Sequence, residues 1–186
     1  YEIATSSVTL ASGDSKTVTL KIKHSVDTTG YMCGDFHLHG MWSPDSSDLY
    51  DFKVRTLAAA GLEIPVTTDH EYIADYGPYI AKLGLQKWIY GIVGEELTTL
   101  TYGHFNLFPI KADPTKSNMG AIIWHGKTPN KLFEDVYTTW PGAGNQVNHP
   151  RSAAIGGDFT HVGQNAQTRT GDTTPTGWRP HLDDPR

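Results

Sequence analysis

At 186 residues the chain has room for one ordinary domain with a core, or a domain with a short appendage, and not for several. Its 38% hydrophobic and 11% aromatic content excludes a disordered polar chain, while 19 Gly and 11 Pro predict many loops. The formal net charge of −5, with Lys and Arg scattered, leaves no basic footprint for a nucleic acid. A single cysteine, Cys33, excludes an internal disulfide and a Cys-rich zinc site. No apolar run reaches membrane-span length, and no signal peptide is visible.

Taken in chain order, residues 6–23 alternate apolar and polar. Val8 and Leu10 mark a first strand, and Val18, Leu20 and Ile22 a second. Ser12-Gly13-Asp14 turns between them. The expectation is a hairpin, the end of a β-sandwich, in an N-terminal segment over 1–30. Val26-Asp27-Thr28-Thr29-Gly30 reads as a linker into a second unit over 31–186.

From Tyr31 the apolar runs end in polar residues able to bind metal. The segment Tyr31 to His39 finishes in an acid, Asp35, and two imidazoles, His37 and His39, with Cys33 read as core. Ser46 or Ser47 is placed to cap a helix through about Ala60, with Tyr50, Val54, Leu57 and Ala58 on one face and Gly61 stopping it. Leu62–Thr68 reads as a buried strand running into Asp69-His70, with Pro65 tolerable only at an edge or near the strand start. A helix around Tyr79–Leu83 precedes a strand over Trp88–Val93 that delivers Glu95 and Glu96. His104 then opens a strand over Phe105–Ile110. Residues 130–140 suit a helix, and Gln146-Val147-Asn148 a short strand into His149. Strands alternating with helices predict an α/β fold with a parallel sheet or barrel and a site at the strand C-terminal ends.

The chemistry sits in the nine histidines, about twice ordinary usage. His37 and His39 share one side of a strand because side chains alternate with period two, so both imidazoles can reach one cation. Asp45, beyond a Pro-containing loop, is either a turn aspartate or a carboxylate folding back over the same pocket. Glu96, or Glu95 in its place, can bridge two cations through its two oxygens, and alternation lets only one of them face inward. His70, His104 and His149 each end or begin a strand. His24, His125, His161 and His181 read as ordinary histidines, with His125 the first to reconsider because it ends the apolar run Ala121–Trp124. Arg151, two residues after His149, is placed either to hold a phosphate or carboxylate or to be a plain surface charge. Glu96, Asp69 and Arg151 are the candidates for a catalytic part.

In order and spacing, His37-Leu38-His39, Asp45, Thr68-Asp69-His70, Gly94-Glu95-Glu96-Leu97-Thr98-Thr99, Gly103-His104 and Asn148-His149-Pro150 resemble the motifs of the polymerase-and-histidinol-phosphatase (PHP) domain. The likeness covers about residues 31–151. It is greatest to that family's esterase-like and amidase-like metallohydrolases, which are often exported and preceded by β-sandwich modules. The resemblance implies a distorted (β/α)7 barrel holding two or three Zn, Mn or Fe ions, and a secreted or periplasmic location. It implies that His37 and His39 bind one ion, that Glu96 bridges to a second completed by His104 and His149, and that Asp45 and His70 hold a third. Asp35 and Asp69 would orient the imidazoles from behind.

The activity implied is hydrolysis of a small-molecule phosphoester, carboxylic ester or amide by a metal-activated water. A binding module that has lost its chemistry and a PHP-type nuclease are the rival readings, the second disfavoured by the acidic balance. One departure stands out: the family closes its site with a late Asp-x-His pair. Here Asp158-Phe159-Thr160-His161 has one residue too many, and His181-Leu182-Asp183 is reversed. The expectation is therefore a PHP-type domain incomplete at its C-terminal end, or a degenerate site.

Overall fold

The computed structural model describes residues 1–100 and 102–152. Its elements follow in the order β1 (Gly34–Leu38), α1 (Tyr50–Ala60), β2 (Ile64–Thr67), α2 (Gly77–Leu83), β3 (Glu95–Thr99), β4 (Gly103–Phe108), α3 (Pro129–Thr139) and β5 (Gly144–Asn148). β1 and β2 pair in parallel across α1. β3, β4 and β5 form an antiparallel sheet with β4 central. Two single parallel pairings, Val66 with Ile92 and His70 with Glu96, tie β2 and the segment after it to the entry of β3.

The helix boundaries have local causes. α1 begins at Tyr50, later than a cap at Ser46 or Ser47 would place it, and its N-cap position, Leu49, has no side-chain cap. Ser46 instead directs its hydroxyl to the His39 carbonyl at 3.4 Å. Gly61 ends the helix in the left-handed conformation, φ 82°, which a glycine adopts without steric cost. α3 has Thr128 as N-cap, accepting from the Lys131 N–H, and Pro129 in its first turn, where the missing proline donor costs nothing.

Two expectations for the strands need correcting. Residues 88–93 form no strand of their own, and β3 starts at Glu95. The apolar residues of that segment serve other ends: Ile89 packs with Tyr50, Val54, Tyr76 and Ile80 between α1 and α2, and Ile92 makes only a single pairing. The second half of the sheet is antiparallel rather than parallel, because the short β3–β4 connection between Thr99 and Gly103 cannot hold a crossover helix. Pro65 is tolerated as the second residue of β2, where it offers its carbonyl to the Ile92 N–H at 2.9 Å.

The three antiparallel strands sort their side chains by period two. Leu97, Phe105 and Leu107 turn to one face and pack with Leu132, Phe133 and Val136 of α3. Burying a side chain of this size contributes about 1.5–3 kcal/mol. The opposite face carries two cross-strand rows, Thr98–His104–Asn148 and Glu96–Asn106–Gln146. Two of the candidate site residues, Glu96 and His104, lie on that polar face.

In the N-terminal segment the chain reverses at Ser12-Gly13, with the Asp14 N–H bonded to the Ala11 carbonyl at 3.0 Å. Its two arms are linked by Glu2 N–H to the Lys23 carbonyl at 2.8 Å and by Lys16 Nζ to the Thr9 carbonyl at 2.6 Å. No strand ladder forms there among the described residues, and Val8, Leu10, Val18, Leu20 and Ile22 are all exposed. A two-stranded ribbon with no packed face has little to hold a regular ladder. Cys33 is exposed rather than core, lying just ahead of β1. Its N–H bonds the Glu63 carboxylate at 2.9 Å. No described helix is long and apolar enough to cross a membrane.

Candidate metal centre

Glu96 is fully buried at the start of β3, and its carboxylate is the centre of the site. On one oxygen, Oε2, converge His37 Nε2 at 3.2 Å, His39 Nε2 at 3.3 Å and His70 Nδ1 at 3.2 Å. On the other, Oε1, converge His104 Nδ1 at 3.1 Å, His149 Nε2 at 3.1 Å and Asn148 Nδ2 at 2.8 Å. Asp45, the more exposed carboxylate, reaches His39 Nδ1 and His70 Nε2, each at 3.4 Å. The structure thus brings all seven candidate ligands together. Three overlapping triads, His37–His39–Glu96, His39–Asp45–His70 and His70–Glu96–His104, hold their donor atoms within 4.8 Å of one another.

Each ligand has a local reason for its position. β1 points His37 and His39 to one side, and the Asp35 carboxylate accepts the His37 backbone N–H at 3.0 Å. His70 follows β2, and its imidazole is hydrogen-bonded to Thr98 Oγ1. His104 is the second residue of β4 and His149 follows β5, with φ 37° at its backbone. Turning the chain there aims the ring back at Glu96. The expected roles of Asp35 and Asp69 are corrected: both hold backbone or tyrosine rather than imidazole. Buried Asp69 accepts from the Gly40 N–H and the Tyr50 hydroxyl, and so anchors the turn that follows His39. Gly40 is required at that turn, because a Cβ would lie 2.0 Å from the Tyr50 ring.

The electrostatics follow from burial against pairing. Burial alone would raise Glu96, but hydrogen bonds from His104, His37 and Asn148 hold it well below the usual carboxylate range. His37 is raised by its bond to Glu96, whereas burial lowers His39 and His149. Glu95, one residue earlier, faces the α3 side. It accepts the Ile122 N–H at 3.1 Å, its second oxygen has no partner among the described residues, and burial pushes it up to about 8. Alternation therefore sends only Glu96 to the histidines.

Several residues of the site carry no signal of their own in the sequence. Buried Ser43 meets His39 Nδ1 at 2.9 Å and accepts the His70 N–H at 3.2 Å. Asn148 is held between Glu96 and Asn106 Oδ1, the latter at 2.6 Å. Glu71, with φ 54°, accepts the Thr98 N–H, and burial pushes it up to about 7. Beside the cluster a cleft of about 560 Å3 lies between His70, His104, Leu100 and Trp124, with His125 stacked on Trp124 at 3.9 Å. His125 thus lines the cleft without joining the cluster. His24 packs edge-on against Tyr1, remote in role from the site. Arg151 is exposed in the turn after His149, closed by the Ser152 N–H to the His149 carbonyl at 2.8 Å. His161, His181 and the Asp158 and Asp183 candidates for a closing pair lie outside the described residues.

The donor set fits divalent cations. A tetrahedral ion with bonds of about 2.1 Å separates its donors by roughly 3.4 Å, close to the nitrogen–oxygen spacings around Glu96. Imidazole and carboxylate together suit first-row transition metals rather than calcium or magnesium. No protein-family model matches the chain, and no curated protein matches it either.

Proposed function

We propose that this chain is a metal-dependent hydrolase of PHP type, built on a distorted (β/α)7 barrel, that cleaves a phosphoester or a carboxylic ester or amide of a small molecule. The observation that carries the reading is the convergence of nitrogen on Glu96. Six nitrogen atoms, five of them imidazole and drawn from four separate stretches of chain, lie within 3.3 Å of its two oxygens. Imidazole and carboxylate donors at this spacing suit cations shared between the oxygens and the rings.

In this reading His37, His39 and Glu96 hold one ion, Glu96, His104 and His149 a second, and Asp45 with His70 a third, the ions being Zn, Mn or Fe. When bound, they supply a water acidic enough to ionise near neutral pH and positive charge for the oxygen that gains electrons. The protein's own part is to hold the imidazoles neutral and oriented, and to keep Glu96 ionised. The cleft at His70 and His104 admits substrate beside the cluster, and Arg151 is proposed to meet its phosphate or carboxylate.

The test is metal analysis of the purified protein, together with turnover of p-nitrophenyl phosphate and p-nitrophenyl acetate before and after chelation. Chelator-sensitive turnover restored by Zn, Mn or Fe supports the proposal. Bound metal with no turnover of either ester points instead to a metal-stabilised binding module, and absence of metal overturns both.

A further inference from the structure

Glu96 can bridge two ions only if its carboxylate plane is fixed so that each oxygen faces its own set of imidazoles. The three histidines on the Oε2 side come from β1 and the end of β2 and, with Asp45, would hold the ions there with little help. The Oε1 side is poorer, with two imidazoles, one of them the most exposed of the five histidines, His149, whose side chain is 34% exposed. What fixes Oε1 is a run of neutral amides on the polar face of the sheet. Asn148 Nδ2 donates to Glu96 Oε1 at 2.8 Å and to Asn106 Oδ1 at 2.6 Å. Asn106 Nδ2 donates in turn to the Phe36 carbonyl at 2.7 Å, the residue before His37. Gln146 Nε2 donates to Asn148 Oδ1 at 3.1 Å, which fixes which end of the Asn148 amide faces Glu96.

We propose that Asn148 is a positioning residue for the second cation, holding Glu96 Oε1 toward His104 and His149 through an amide chain from Gln146 to the backbone of β1. The inference rests on the metal-centre reading above. It makes loading stepwise, with tight binding on the Oε2 and Asp45 side and a weaker ion on the Oε1 side whose affinity depends on Asn148. Loss of an outer partner of a ligand typically costs 10–100-fold in metal affinity, and here that loss should fall on one ion only.

The experiment is calorimetric titration of the metal-free full chain with Zn, and with Co as an absorbing probe, for the wild type and for Asn148→Ala, Asn148→Ser and Gln146→Met. The wild type should bind in two resolvable steps, the ions on the Oε2 and Asp45 side first and the Oε1-side ion second. Asn148→Ala should weaken the second step by about 10–100-fold while leaving the first step and its Co spectrum unchanged. Asn148→Ser, which keeps a donor, and Gln146→Met, which only frees the amide to turn, should show smaller losses in the same direction. These two variants decide the matter if Asn148→Ala fails to fold. Equal weakening of both steps, or no change in the second, overturns the proposal. A wild type that takes up no ion removes the metal-centre reading itself, and a wild type with one ion removes the second site alone.

Discussion

Ser43 is small, neutral and buried, yet it touches two candidate ligands at once: the His39 ring at 2.9 Å and the His70 backbone N–H at 3.2 Å. Ser43→Ala would leave that N–H without its partner, at a cost of about 1–3 kcal/mol, and would release the His39 ring to rotate. The expected result is a modest fall in the melting temperature of the metal-free protein with a 10–100-fold loss of Zn affinity by calorimetry; unchanged affinity would show that His39 is oriented by other means. The convergence of the candidate ligands was legible in the sequence because histidines at strand ends are unusual and period two predicts which of them share a side. Ser43 and Asn106 were not legible, and Asn148 stood in a motif without a role of its own, since a serine or asparagine in a loop or strand is ordinary until its partner is known. Asp35 and Asp69 show the complementary error: acids beside histidines in sequence turned their carboxylates to backbone and to Tyr50.

Among the elements, the β3 strand carries opposite demands on its two faces. Glu96 is kept ionised by its partners, while its neighbour Glu95 is kept neutral by burial and rises to about 8 from 4.5. An acid raised in this way contributes its full stability below the unfolded value near 4.5 and loses it as pH climbs through the folded value near 8. Glu95→Gln removes that loss. The melting temperature of the variant minus that of the wild type, measured in chelator, should therefore grow more positive from pH 5 to pH 8.5; a flat difference would mean that Glu95 is not buried as a neutral acid. Immediately before it, Gly94 lies so close to its neighbours that a Cβ would sit 2.6 Å from the Thr67 carbonyl and 2.7 Å from the Leu107 carbonyl. Neither backbone atom can move without parting β2 or β4 from β3, so Gly94→Ala should destabilise by about 3 kcal/mol, the upper end for overpacking, as read by urea denaturation. An effect below about 1 kcal/mol would show that the strands tolerate separation. Existence and order of most elements were legible from periodicity and from stop signals such as Gly61. The misplaced strand at 88–93 came from an apolar run whose residues pack between helices, a tertiary use that periodicity alone does not distinguish.

At the scale of the whole molecule, the described residues hold two separate apolar cores, one between α1 and α2 and one between the antiparallel sheet and α3. The candidate metal centre draws on both halves: His37, His39 and His70 come from the parallel pair and its exits, His104 and His149 from the antiparallel sheet, and Glu96 stands at their junction. Without cations the junction holds five imidazoles around buried Glu96 and the more exposed Asp45, and burial already disfavours protonating His39 and His149. Ions that bind only the folded arrangement stabilise it by mass action, by about 2.7 kcal/mol at a free concentration 100 times the dissociation constant. For a chain of this length that corresponds to roughly 5–10 °C in melting temperature. Differential scanning calorimetry should therefore show the transition falling by that amount on chelation and recovering on addition of Zn or Mn. In Glu96→Gln, which keeps the shape of the side chain but gives up its charge and one acceptor, the shift should shrink or vanish. A wild-type transition indifferent to chelator and to added metal would mean that the histidines converge for packing alone, and the proposed hydrolase would lose its chemistry.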